Sequence, residues 1–525
     1  SATEIVSNIE EGKWTAGEVL EAYISAAVRA QEATNCITEV LFGPARSRAK
    51  ALDASYASTG RIVGPFHGVP FSIKVLDYEG FDSTIGFSQW IGKPANKHAA
   101  LVSQIIAAGG IPFVKTNVPQ TMFSFECNNP LWGRTLNPRG TAFTCGGSSG
   151  GEAAILAADG SALGIGSDIG GSLRMPAAYC GIYSLKPTAG RVSTEGGVNP
   201  SPGFEGIKTS FGPMGRSVAD LDVFCRAIFG LEDKYRHAVP LPYRKFDVKS
   251  ALKFGYYTSD GFIKASPANK RAVLQSVEAL RRQGHECVEV VPPSGHEALE
   301  IYLAMTSADD FHRMTSQIGS DPVDPALYLT VYGSRMPGFI LSIATWALRN
   351  IIHDPQFATV MDAGGSKSYE KYSKWVERRN EFEKTFFDAV WERHGLDGII
   401  APVQSMPQLP HGAVTTLSPL CVATVLYNLL DYPAGVVPVT RVDAGQDWLT
   451  EEWAVRGGQG SGSVWIEDVL YRKGKKSVYN AKDMDGMPVG VQVVGKRWED
   501  EKVLHMMQVL DEALGKRGFG PGSSL

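Results

Sequence analysis

Apolar residues recur at helical spacing from the start of the chain. After Thr15, a residue type that caps helices, Val19, Leu20, Tyr23, Ile24 and Val28 fall on one face of AGEVLEAYISAAVRAQ, which predicts an amphipathic helix. Residues 43–57 predict a second, so residues 1–60 read as N-terminal helices. GPFHGVPFSIKVL, at about 65–75, predicts a short apolar strand broken by Gly and Pro, with Lys74 inside it. From 98 to 240 the pattern alternates: HAALVSQIIAAGG as helix, IPFVKT as strand, GEAAILAAD as helix, SALGIGSD as strand, and Ser217 to Gly230 as helix. LKFGYY, PANKRAVLQSVEALRRQG and CVEVV continue that alternation. Residues 298–395 are mostly helical, GIIAPV, AGVVPVT and GVQVVG read as buried strands, and Asp500 to Ala513 as a last helix. Buried strands on both sides of a helical middle predict one large α/β domain over 1–525. Its core (65–240) belongs to a central twisted mixed sheet covered by helices on both faces, with 298–395 as an insertion.

Composition narrows the function classes. The formal net charge of −4, from Lys+Arg 51 against Asp+Glu 55, provides no basic face for nucleic acid. The seven cysteines are scattered without Cys-x-x-Cys spacing, which predicts free thiols in a reducing compartment and an intracellular location, cytoplasmic or at an internal membrane. Without a His-Glu-x-x-His motif or clustered ligands, no metal and no other cofactor is expected. Ser1 to Glu11 is polar and does not read as a signal peptide. The longest strongly apolar run, Gly338 to Leu348, falls short of the roughly 20 residues needed to span a bilayer.

The chemistry concentrates in TCGGSSGGEAAILAADGSALGIGSDIGGSLRMPAAYCG, residues 144–181. Its glycines sit between apolar strands and helices, as in backbone arranged closely around a site. Gly146-x-Ser148-x-Gly150 satisfies the G-x-S-x-G pattern and would nominate Ser148 as a nucleophile on a strand-to-helix elbow. That fit is poor, because NPRGTAFTC is a weak strand and His411 and His505 lack recognisable partners. A phosphate loop fits worse, since the Gly-Lys-Ser/Thr ending is absent.

GGSSGGEAA, SDIGGSLRMP and the upstream PFSIKV together resemble the amidase signature family. The resemblance implies Ser172 as nucleophile, Ser148 as a bridging serine after a cis Gly147–Ser148 peptide, and Lys74 as base. It places an oxyanion hole on the backbone N–H groups of Ile169, Gly170, Gly171 and Ser172. Asp168 and Arg174 would fix this loop, although an ordinary salt bridge explains that pair equally well, and Ser149 would join the same network. The chemistry is coherent in its own right. A serine is inert near neutral pH unless a base takes its proton, and a lysine is a base only when burial destabilises its ammonium form. Phe71, Ile73, Val75 and Leu76 around Lys74 provide such burial.

Within the family the resemblance is strongest to the fatty acid amide hydrolases. It is carried also by KTNVPQTMFSFECNNPLWG, LYNLLDYPAGVVPVT and GMPVGVQVVGKRW. It implies a lipid amide substrate, an acyl channel drawing on Met122, Phe123, Phe125 and Trp498, and a membrane-contacting cap over 336–352. Read from its residues, MPGFILSIATWALRNII with Arg335 and Arg349 near its ends suits an interfacial helix, and equally a core helix or a homodimer contact. The section around 441–475 departs locally from that resemblance and leaves the amine preference open. Three alternatives stand beside this expectation: a short-chain or aryl-amide amidase, a glutamine-hydrolysing subunit that passes ammonia to a partner, and an inactive binding or scaffolding protein.

Overall fold

The apolar runs pair into one eleven-stranded mixed sheet. In spatial order the strands are Ile37–Val40, Ile111–Thr116, Pro70–Ile73, Leu163–Asp168, Ser210–Gly215, Tyr183–Lys186, Ala434–Arg441, Pro488–Val494, Gly398–Pro402, Lys253–Tyr256 and Glu286–Glu289. The computed structural model describes residues 1–246 and 251–523. Helices cover both faces of the sheet, so its central strands are buried throughout, which is why Leu163–Asp168, Gly398–Pro402 and Pro488–Val494 read as unbroken runs rather than alternating ones. The helices start where the sequence places caps: Thr15 accepts from the Glu18 N–H and completes a capping box, and Ser217 and Ser266 cap the helices Val218–Ile228 and Pro267–Arg282.

Three expectations are corrected. The first sixty residues are not all helical, because Asn35 adopts a left-handed conformation (φ 55°) that ends the helix Ala16–Thr34 and delivers Ile37–Val40 to the sheet edge. Tyr183–Lys186 and Ser210–Gly215, unpredicted, form central antiparallel strands. Lys74 is not inside its strand but one residue past its end, where its N–H still bonds Ile165 O at 3.0 Å.

That last detail positions the site. Pro70–Ile73 runs parallel to both Ile111–Thr116 and Leu163–Asp168, so the C-terminal ends of all three strands share one edge. Lys74, Thr116 and Asp168 therefore emerge together, at the edge where open α/β sheets characteristically build their sites.

The middle section is helical, as expected. Its helix Gly338–Ala347 packs on the helix Pro355–Asp362 and presents Phe339, Ile343 and Trp346 outward, at 69%, 64% and 58% exposure. The core-helix alternative for 336–352 is thereby overturned. The two arginines near its ends are engaged within the chain: Arg335 donates to Asp310 O and Thr315 Oγ1, and Arg349 pairs with Asp362. No described helix is long and apolar enough to cross a membrane.

Candidate active site

Lys74 leaves its strand into the interior, where it is 1% exposed. Its Nζ lies 2.7 Å from Ser148 Oγ and 2.9 Å from Ser167 Oγ, distances at which a neutral amine donates to one hydroxyl and accepts from the other. Burial, the largest influence, pushes the ammonium down to about 7, against smaller upward pulls from Asp168, Cys127 and Glu152. Ser148 follows the cis Gly147–Ser148 peptide bond and precedes the helix Gly150–Ala157.

Ser172 comes from the loop after Leu163–Asp168. No hydrogen bond joins its hydroxyl to that of Ser148 among the described residues, yet both line one cavity, and the Ser149 N–H donates to Ser172 O at 3.1 Å and keeps the two loops together. Ser149 is tied in further: its Oγ donates to Ser167 O and accepts from the Ser167 N–H.

Asp168 and Arg174 form the expected pair and are fully buried, with Asp168 Oδ1 and Oδ2 each 3.1 Å from a guanidinium nitrogen. Burial, the largest single influence, would raise Asp168, but the Arg174 guanidinium together with Lys186 and Asn428 outweighs it and holds the carboxyl well below the usual carboxylate range. Asp168 also accepts from Asn428 Nδ2 at 2.7 Å and from the N–H groups of Gly171 and Leu173 at 2.8 and 3.1 Å. This corrects the expected oxyanion hole. The Gly171 N–H is committed to Asp168, whereas those of Ile169, Gly170 and Ser172 have no acceptor among the described residues. The loop conformation requires its glycine: Gly171 has φ of +125°, and a Cβ there would lie 2.2 Å from Thr424 Oγ1. The same Thr424 hydroxyl donates to Gly170 O at 2.7 Å and fixes the turn.

Sequence reasoning missed Ser167, Thr424, Asn428 and Gln492, the last accepting from Arg174 Nη1 at 3.1 Å. Asn428 and Gln492 stand in otherwise apolar segments, LYNLL and GVQVVG. A polar residue buried in such a run must find a partner, and that signal was available.

Two cavities meet at Ser172. One is walled by Met122, Phe123, Phe125, Leu303, Phe357 and Val360, includes Ser172 in its lining, and is largely apolar. The other reaches Ser148, Ser167 and Ser172 and mixes Thr194, Asn199, Ser201 and Arg313 with the apolar Phe204, Phe211, Phe311 and Met314. Thr121 and Met122 both have positive φ, 66° and 57°, a strained turn of the kind that clusters at functional sites, here at the cavity wall. Trp498 is the exception among the predicted channel residues. It lines neither cavity: its N–H donates to Thr188 Oγ1 and its ring stacks near Arg497.

Known proteins resemble this chain over nearly its whole length. The amidase family model matches residues 18–504. Fatty-acid amide hydrolase 1 of Sus scrofa is 34% identical over 97% of this chain and 85% of its own length. Acetamidase of Emericella nidulans is 32% identical over 98% of this chain and 89% of its own length. A solved structure of fatty acid amide hydrolase superposes with a TM-score of 0.83 at 27% identity, over 98% of this chain and 85% of that one. With the family model covering most of its length, the chain belongs to the amidase signature family.

Proposed function

We propose that this chain hydrolyses fatty-acyl amides through an acyl-enzyme on Ser172. In this reading neutral Lys74 takes the proton of Ser148 as Ser148 takes that of Ser172, whose Oγ attacks the amide carbonyl. The oxyanion forms beside the N–H groups of Ile169, Gly170 and Ser172, which carry no competing acceptor among the described residues. The relay then runs backward: Ser148 passes a proton to the leaving nitrogen and recovers one from Lys74. Water follows the same path, attacks the acyl-enzyme and releases the acid. The 2.7 Å contact between Lys74 and Ser148 supports the first transfer, and the shared cavity allows the second hydroxyl pair to close when substrate arrives.

The observation that carries the choice of substrate is the apolar cavity lined in part by Ser172. Its lining includes Leu329, Gly333, Phe357 and Met361, from the segment and helix beside the exposed helix Gly338–Ala347. An acyl chain would occupy it while the amine faces the second cavity. Each buried methylene contributes about 0.8 kcal/mol, so kcat/KM is expected to rise roughly fourfold per methylene until the cavity is filled. An acyl-length series of amides checks this. A maximum at two to four carbons would favour the short-chain reading, which the acetamidase relative keeps in view.

The exposed apolar face of Gly338–Ala347 supports peripheral attachment to a lipid surface as part of the same proposal. Ile343→Glu combined with Trp346→Ser is expected to abolish co-sedimentation with phosphatidylcholine vesicles and to leave hydrolysis of a short, water-soluble amide unchanged. Unaltered co-sedimentation would remove the helix from this role.

A further inference from the structure

Glu152 is a fully buried acid that the mechanism above does not use. It occupies the third position of the helix Gly150–Ala157, behind the N-cap Ser149. An acid at that position commonly reaches back to the N-cap backbone. Here the carboxylate turns to the sheet instead and accepts from Ser72 Oγ and Thr116 Oγ1, each at 2.6 Å.

Those two hydroxyls belong to the strands that end at the site. Ser72 lies two residues before Lys74, so strand alternation puts both on one face, and Thr116 closes the neighbouring strand. Ser148 lies two residues before the helix that carries Glu152. The acid thus ties the strand of the base to the helix of the relay. The sheet makes room for it: Gly164 is the register partner of Ser72, and a Cβ at Gly164 would stand 2.3 Å from Glu152 Oε2 and 3.0 Å from Ser72 Oγ.

We propose that Glu152 is a positioning residue of the Lys74–Ser148 pair, which clamps the strand end to the helix start and adds its charge to the surroundings of Lys74. The proposal rests on the reading of Lys74 as base. The groups that act on Lys74 are Asp168 from the end of the adjacent strand, Cys127 from the loop beneath, and Glu152 from the helix; Lys74 is the charge that acts on Glu152. Burial, the largest influence on each, brings Glu152 up to about 7 and Lys74 down to about 7, so the two titrate in the same range. A negative Glu152 favours the ammonium form of Lys74. Its removal therefore favours the neutral amine and extends activity to lower pH.

The test is the pH profile of kcat/KM for an amide that the wild type hydrolyses. Glu152→Gln keeps the shape and removes the charge, and is expected to move the acidic limb down by about a few tenths of a pH unit. Glu152→Asp keeps the charge but cannot reach both hydroxyls, and is expected to lower kcat about tenfold with the limb in place. If Glu152→Gln does not fold, Ser72→Ala and Thr116→Val each remove one donor that stabilises the carboxylate, and each is expected to move the limb in the same direction. An active wild type whose limb stays put in Glu152→Gln, or in both donor variants, overturns this inference alone. A wild type that hydrolyses no amide overturns the parent reading and this one with it. A merely structural role would change stability and rate without moving the limb.

Discussion

Lys74→Met is expected to lower kcat/KM at pH 7 by about 10³- to 10⁴-fold, the range of a lost general base, while the protein remains folded. Methionine keeps the apolar stem and removes only the amine, so a fall in rate reports the proton path rather than a cavity. The physical argument turns on burial. At its ordinary value near 10.5 a lysine would be neutral in only about one molecule in 10³ at pH 7, whereas burial brings Lys74 to about 7. The wild-type rate is therefore expected to fall about tenfold per pH unit below 7 and to level off above it. The residual rate of Lys74→Met should climb with hydroxide instead.

Stability supplies an independent readout with a definite sign. Between about 7 and 10.5 the unfolded chain binds a proton at this lysine that the folded chain does not, so this group makes the fold less stable as pH falls across that window. Lys74→Met removes that penalty. Its unfolding free energy at pH 7, measured by urea titration, is expected to exceed that of the wild type by an amount of order a few kcal/mol. A variant that is equally stable and equally active would remove Lys74 from the mechanism.

The second large effect separates the two serines. Ser172→Ala is expected to lose about 10⁴-fold or more in kcat, because no acyl-enzyme can form. Ser148→Ala should lose less, about 10²- to 10³-fold, because the nucleophile and the oxyanion donors remain and only the relay is gone. Steady-state rates with one amide substrate check the order. If Ser148→Ala proved the more damaged of the two, the roles would be exchanged, as the G-x-S-x-G pattern alone would have it.

The layered α/β architecture was legible because buried strands and capped helices carry strong local patterns, as in GVQVVG and in Thr15 with Glu18. Ser210–Gly215 was not, since SFGPMG contains two glycines and a proline, and it becomes a strand only because Leu163–Asp168 and Tyr183–Lys186 flank it. Lys74, Ser148 and Ser172 were nominated by ordered motifs, and the fold puts Lys74 Nζ 2.7 Å from Ser148 Oγ and both serines on one cavity. The Gly171 N–H was misread because motif spacing says nothing of Asp168 turning back to take it. Trp498 failed for a similar reason: nearness to the apolar strand Pro488–Val494 does not fix which way a ring at positive φ points. Ser167 was hidden inside a strand, where its hydroxyl meets Lys74 only through the parallel pairing of Pro70–Ile73 with Leu163–Asp168.

Identification of the nucleophile is the most direct test of the serine–lysine mechanism. The full chain is treated with a fluorophosphonate, digested and mapped by mass spectrometry. A single adduct on the peptide that contains Ser172, absent from Ser172→Ala, is the predicted result; an adduct on Ser148, or on neither serine, would contradict it.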